Sequence, residues 1–110
     1  MKALKNGICL VFFGVLLNGC TSAPGKYIPK VYHVEIKDMK FEPAELIVSK
    51  GDTVVWTNDD MTVHDVTDAV NNSWTSKPIA SGKSWKMAIE KNESYYCSIH
   101  KVMKGTVSTE

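Results

Sequence analysis

From Val31 to the C-terminus the chain alternates apolar and polar residues with period two, and nothing else in it constrains the fold as tightly. Tyr32, Val34 and Ile36 alternate with His33, Glu35 and Lys37, and Trp85, Met87 and Ile89 alternate with Ser84, Lys86 and Ala88. Successive side chains of a strand point to opposite faces, so each segment buries one face and wets the other. Between them, Glu45 to Ser49 and Thr53 to Asn58 are β-branched runs parted by the turn Lys50-Gly51-Asp52, and Gly82 and Asn92 mark further turns. Ser94 to Cys97 and Gly105 to Thr109 read as a closing pair of strands around a short loop. No long helical period interrupts them. Short strands at regular spacing predict an all-β chain, a single-domain antiparallel β-sandwich of about seven or eight strands. Asn71 to Ala80, which holds Trp74 and Pro78, reads as a loop or irregular edge, because proline cannot donate to a strand ladder.

The first twenty residues are built on another plan. Lys2 and Lys5 precede an apolar run from Gly7 to Leu17, too short to span a bilayer, which ends at Asn18, Gly19 and Cys20. That is the layout of an export signal, and Leu17-Asn18-Gly19-Cys20 resembles a bacterial lipobox, whose cysteine receives a diacylglycerol and becomes the first residue. The expected organisation is a lipoprotein signal peptide over residues 1–19, a lipid-anchored tether over 20–30 with Pro24, Gly25 and Pro29, and one folded domain over 31–110. The expected location is the bacterial cell envelope, with the domain held to a membrane through Cys20 and facing the periplasm or the cell exterior.

Charge excludes one class of partner. The chain has 13 basic residues against 12 acidic ones, and loss of Lys2 and Lys5 with the signal tips that balance to a slight acidic excess. A nucleic-acid binder needs a basic surface to neutralise phosphates, and none is present here. Cysteine usage is more informative. Cys9 leaves with the signal and Cys20 is consumed by lipid, so Cys97 is a lone thiol in an oxidising compartment. Without a partner for a disulfide, and prone to oxidation if bare, it reads as a metal ligand.

Cys97, His100 and Met103 stand at C-x-x-H-x-x-M spacing in the loop between the last two strands, where a tight turn can aim a thiolate, an imidazole and a thioether at one point. His64, beyond the acidic corner Asn58-Asp59-Asp60, is the natural fourth ligand. Thiolate suits Cu(I), imidazole suits both oxidation states, and two histidines with one cysteine and a weak axial methionine make the blue-copper arrangement. Zinc prefers four stronger ligands. His33 falls on the solvent face of its strand and takes no role, so no histidines remain for a second copper site.

The same residues resemble the cupredoxins, the plastocyanin and amicyanin group, over almost the whole domain. The supporting stretches are Phe41-Glu42-Pro43, Val48 to Trp56, Asn58, His64-Asp65-Val66, and Tyr96-Cys97-Ser98-Ile99-His100 followed by Met103 and Gly105. The short gap from His100 to Met103 is like the amicyanin loop. The resemblance implies a Greek-key sandwich with one type 1 copper ion at its end, His64, Cys97 and His100 in the equatorial plane, and Met103 axial. It also implies an apolar patch around His100, here drawn from Ile99, Val102 and Met61, with Lys101 and Lys104 as a positive rim. Asp65 stands where the family often has asparagine, and Ile99 where proline is common.

The expected function is therefore transfer of single electrons to or from a redox protein such as a c-type cytochrome or a copper enzyme, by a monomer that is not itself an enzyme. The alternative with the same ligands is a copper carrier or buffer that delivers the metal to another protein, distinguished by ready release of Cu(I) to a chelator. A metal-free adhesion module, with Cys97 incidental, is a third. A four-ligand cage offers a substrate no open coordination position, which argues against enzymatic turnover.

Overall fold

The computed structural model describes residues 25–110, and every regular element among them is a strand. In chain order these are β1 (Val31–Lys37), β2 (Lys40–Glu42), β3 (Glu45–Val48), β4 (Thr53–Asn58), β5 (Thr67–Asp68), β6 (Ser84–Ala88), β7 (Glu93–Tyr96) and β8 (Lys104–Thr109). They form two four-stranded sheets, ordered β2-β1-β4-β6 and β3-β8-β7-β5. The all-β sandwich is the one the period-two pattern predicts. One detail differs from wholly antiparallel pairing: β1 runs parallel to β4, and β3 parallel to β8. The chain leaves the first sheet after β2, builds β3 in the second, and returns as β4 beside β1 in the same direction.

Alternation carries directly into packing. In β4 Val54, Trp56 and Asn58 are buried while Thr53, Val55 and Thr57 are only half-buried, and Trp56 stands opposite Val34 of β1 and Trp85 of β6. Val34, Ile36, Phe41, Val54 and Trp56 from one sheet meet Val48, Tyr95 and Val107 from the other. Tyr95 spans the gap, edge-on to Phe41 at 4.8 Å and to Trp56 at 5.3 Å between ring centres. Such edge-to-face contacts add roughly 0.5–1.5 kcal/mol each beyond the area they bury.

Two short strands, β2 and β5, have no counterpart in the sequence pattern, since two or three residues cannot display a period. Residues 71–80 form no strand; they lie against the second sheet through the isolated bridge of Thr67 with Thr75 and through side-chain bonds from Ser73 to Asp68 and from Trp74 to Glu93, and a second bridge joins His64 to Ile79. Asp38 and Met39, with φ of 53° and 61°, make the two-residue turn between β1 and β2. Their N–H groups donate to the Asp60 carboxylate at 2.7 and 3.0 Å.

The two ends of β4 have different tenants. At the Thr53 end lies Asp52, fully buried, whose carboxylate accepts hydrogen bonds from the Tyr27 hydroxyl and from the backbone N–H of Lys30 and Ser49, the last two at 2.8 Å. Burial alone would raise its pKa, but the hydrogen bonds from Lys30, Tyr27 and Ser49 outweigh it and hold the carboxyl below its usual range. At the Asn58 end, Asn58 donates its amide to the Thr62 and Ile79 carbonyls at 2.9 and 2.8 Å and accepts from the Asp60 N–H. These bonds shape the corner that presents His64.

The expected signal peptide, and Cys20 with its lipid, lie outside the described residues.

Candidate metal centre

Two segments meet at the Asn58 end. His64 is held by its bridge to Ile79, with backbone bonds of 3.3 and 2.7 Å, and its side chain is fully buried. Cys97 follows the last residue of β7, and the loop from Cys97 to Met103 is closed by two backbone bonds, Cys97 N–H to the Met103 carbonyl at 3.1 Å and Met103 N–H to the His100 carbonyl at 3.0 Å. The closure brings His100 back over the cysteine, with only Lys101 and Val102 between the two ends of the turn that Met103 closes.

Three donors then converge. The Cys97 Sγ lies 3.8 Å from His64 Nδ1 and 3.9 Å from His100 Nδ1, and the two Nδ1 atoms are 3.1 Å apart. The ligand atoms of His64, Cys97 and His100 all fall within 4.8 Å of one another. Met103 is buried at 2 % exposure in the same loop, between the closing bond to His100 and the start of β8. His33, by contrast, is exposed on β1, away from this cluster.

The surroundings fix the chemistry of each donor. His64 Nε2 lies 2.8 Å from Asp60 Oδ2 and 3.2 Å from Thr62 Oγ1. An ionised carboxylate only accepts, so Nε2 donates to Asp60 and Nδ1 is the nitrogen that faces the cluster. For Asp60 itself burial works against ionisation, but hydrogen bonds from Met39, Asp38 and His64 prevail and hold its pKa low. The thiol sulfur accepts the Asp65 N–H at 3.3 Å. The Asp65 carboxylate in turn takes the Ser98 N–H at 2.7 Å and the Ser98 hydroxyl at 2.5 Å, tying the His64 segment to the Cys97 loop.

Of the residues singled out from sequence, His64, Cys97 and His100 are brought together, and Met103 is buried beside them. Asp65, which stands where the family often has asparagine, reaches Ser98. The parts played by Asp60 and Thr62 carry no sequence signal beyond the acidic corner itself, because no spacing rule links a carboxylate in a corner to the far nitrogen of a histidine four residues on. One thiolate and one imidazole, buried and preorganised by outer hydrogen bonds, with a second, half-buried imidazole and a thioether in the same loop, fit a single type 1 copper ion.

A β-sandwich carrying this donor set at one end defines a cupredoxin-type copper domain. Residues 30–110 match the copper binding proteins of the plastocyanin/azurin family, and the chain belongs to that family. No curated protein matches it by sequence. Among solved structures it is similar to a purple cupredoxin from Nitrosopumilus maritimus, at 26 % identity and a TM-score of 0.65 over 72 % of this chain and 99 % of that one. It is similar also to a variant amicyanin in its reduced Cu(I) form at pH 4, at 27 % identity and a TM-score of 0.68 over 73 % of this chain and 82 % of that one. A copper-containing nitrite reductase from Thermus scotoductus shares the fold at 21 % identity and a TM-score of 0.66, with 81 % of this chain matching 24 % of the enzyme.

Proposed function

We propose that this protein is a blue copper electron carrier, lipid-anchored in the bacterial cell envelope, that passes single electrons between redox partners. The observation that carries the reading is the packing of Cys97 Sγ, His64 Nδ1 and His100 Nδ1 within 4.8 Å of one another, with His100 the one member that is not fully buried. Bound there, copper supplies a one-electron Cu(II)/Cu(I) couple, and the chain's own residues do the rest. Cys97 and His64 hold from inside, oriented by Asp65 and Asp60. Their hydrogen bonds preset the ligand positions and resist rearrangement when the charge changes.

His100 provides the way out. Its neighbours in the loop, Ile99 and Val102, are 47 % and 85 % exposed, and Met61 of the acidic corner is 96 % exposed. Apolar side chains exposed around a partly accessible ligand give a partner a dry contact. Exposed Lys101 and Lys104 lie in the same loop and at the start of β8, and favour a partner with an acidic face, such as a c-type cytochrome or a copper enzyme. The likeness to amicyanin and a purple cupredoxin covers most of those chains, which supports a carrier over an enzyme; the nitrite reductase match spans about a quarter of its chain and speaks to fold alone.

The test is the visible spectrum of the purified protein after addition of Cu(II), with Cys97→Ser as control. An intense thiolate-to-copper band that the control lacks, that one electron equivalent per copper bleaches, and that returns on reoxidation is the expected result. Copper binding without the band, with rapid loss of Cu(I) to a chelator, would replace electron transfer by copper delivery.

A further inference from the structure

The end of the sandwich opposite the copper donors carries its own construction. The segment Gly25–Lys30 forms no strand, yet it is not free: Tyr27 and Lys30 both bond to the buried Asp52 carboxylate. Asp52 sits at one end of β4 and the His64 corner at the other, and the six residues between them set the poles about 20 Å apart at the usual rise of a strand. At the Asp52 pole Tyr27 and Ile28 are 48 % and 79 % exposed, an apolar pair flanked by exposed Lys26 and Lys30. The chain that precedes this pair is short. Six residues lie between Cys20 and Tyr27, so the seven Cα steps that join them reach at most about 25 Å when fully extended.

We propose that the Asp52 pole is the membrane-facing end of the domain, and that the clasp of Tyr27 and Lys30 on Asp52 points the copper end away from the lipid. The inference rests on the lipid-anchored reading of Cys20. Were the segment through Lys30 a loose spacer, the domain would tumble and its copper face would meet the bilayer as often as a partner. The clasp removes that slack and attaches the anchor at the pole farthest from His100. A tyrosine and an isoleucine held at the end of so short a leash meet the headgroup region, where aromatic rings with a polar tip settle and where Lys26 and Lys30 face anionic phosphates. The bilayer surface is the one partner that the preceding chain carries to this pole.

The experiment uses the full-length lipidated protein, loaded with Cu(II), in vesicles of phosphatidylethanolamine and phosphatidylglycerol that contain a headgroup-nitroxide lipid. Pulsed EPR then reads the separations between copper and nitroxide. In the wild type the shortest separations should exceed about 20 Å, the pole-to-pole span of β4. Tyr27→Phe, which removes only the hydroxyl that donates to Asp52, should broaden the distribution and populate shorter separations, with the visible spectrum unchanged as the sign of an intact domain. Short separations already present in the wild type would overturn the orientation, and a distribution that Tyr27→Phe does not move would overturn the clasp as its cause. An intact mass without diacylglycerol on Cys20 would overturn the lipid-anchored reading instead, and with it the membrane as the occupant of this pole.

Discussion

The carboxylate of Asp65 accepts both the backbone N–H and the hydroxyl of Ser98, at 2.7 and 2.5 Å, so the residue after one histidine donor grips the residue after the cysteine donor. The same Asp65 gives its N–H to the Cys97 sulfur at 3.3 Å and takes a hydrogen bond from the Thr67 hydroxyl at 3.0 Å. A buried residue thus sets the distance between the two chain segments that supply the donors, and it does so with a side chain that can carry a negative charge.

That charge has a consequence for the reduction potential. A carboxylate beside the thiolate favours the more positive metal state, so Asp65→Asn should raise the potential. The amide keeps an acceptor for the Ser98 N–H, and the Ser98 hydroxyl can turn to accept from the new amide N–H, so the fold should survive. The expected rise is on the order of 50 mV, near the 59 mV that corresponds to a tenfold shift in a one-electron equilibrium. A spectroscopic redox titration of both proteins measures it, and equal potentials would mean that Asp65 acts only through geometry.

Asp60 acts on the other donor. Its carboxylate receives the Asp38 and Met39 N–H groups of the β1–β2 turn and His64 Nε2, which makes that turn part of the support for His64. Asp60→Ala should free the imidazole to rotate or change tautomer, at a cost of about 10–100-fold in copper affinity, the usual effect of removing an outer partner of a ligating histidine. Competition with a Cu(I) chelator reads the affinity directly. An affinity within twofold of wild type would show that Thr62 and burial hold the ring unaided.

The parts of this arrangement that the sequence displays are the ones with a period or a spacing. β1 and β6 announce themselves because one face turned to the core imposes alternation over five to seven residues, and β4 because its β-branched run follows a glycine turn. The Cys97, His100 and Met103 triplet is visible because a tight loop needs fixed intervals. The roles of Asp60 and Asp52 are not visible, since each depends on partners far along the chain: Asp38 and Met39 for one, Tyr27 and Lys30 for the other. The parallel pairing of β1 with β4 is likewise a property of how the chain crosses between sheets. Alternation says which face of a strand is buried but not which neighbour lies beside it.

Asp68 gives a pH dependence with a definite sign. Its carboxylate accepts the Ser73 hydroxyl at 2.7 Å and the Val70 and Ser73 N–H groups at 3.0 Å each, which lowers its pKa from 3.8 to about 2. A depressed carboxylate pKa stabilises the fold above the unfolded value and loses that stabilisation as the pH falls through the folded one. The stability gap between wild type and Asp68→Asn should therefore be full above about pH 4 and close between about pH 4 and pH 2. Urea midpoints of the two proteins across that range test it, and a gap that stays constant with pH would assign the loop's stability to something other than the charge.

Gly105 is required by packing and not by backbone conformation. A Cβ at this position would lie 2.4 Å from both Cζ and the hydroxyl oxygen of Tyr95 and 2.8 Å from Cε2, well inside contact distance. Tyr95 has no room to yield, because it is 1 % exposed and its ring is wedged between Phe41 and Trp56. Gly105→Ala should therefore cost about 1–3 kcal/mol, the usual penalty for overfilling a packed interior. Because Tyr95 stands two residues before Cys97 and pairs with Gly105 across β7 and β8, a forced shift of the ring should also disturb the copper loop. The expected pair of results is a lower urea midpoint and a shifted or weakened copper band in the same variant. A lower midpoint with an unchanged band would show that the loop, closed by its own bonds from Cys97 to Met103 and from Met103 to His100, is insulated from the strand that bears it.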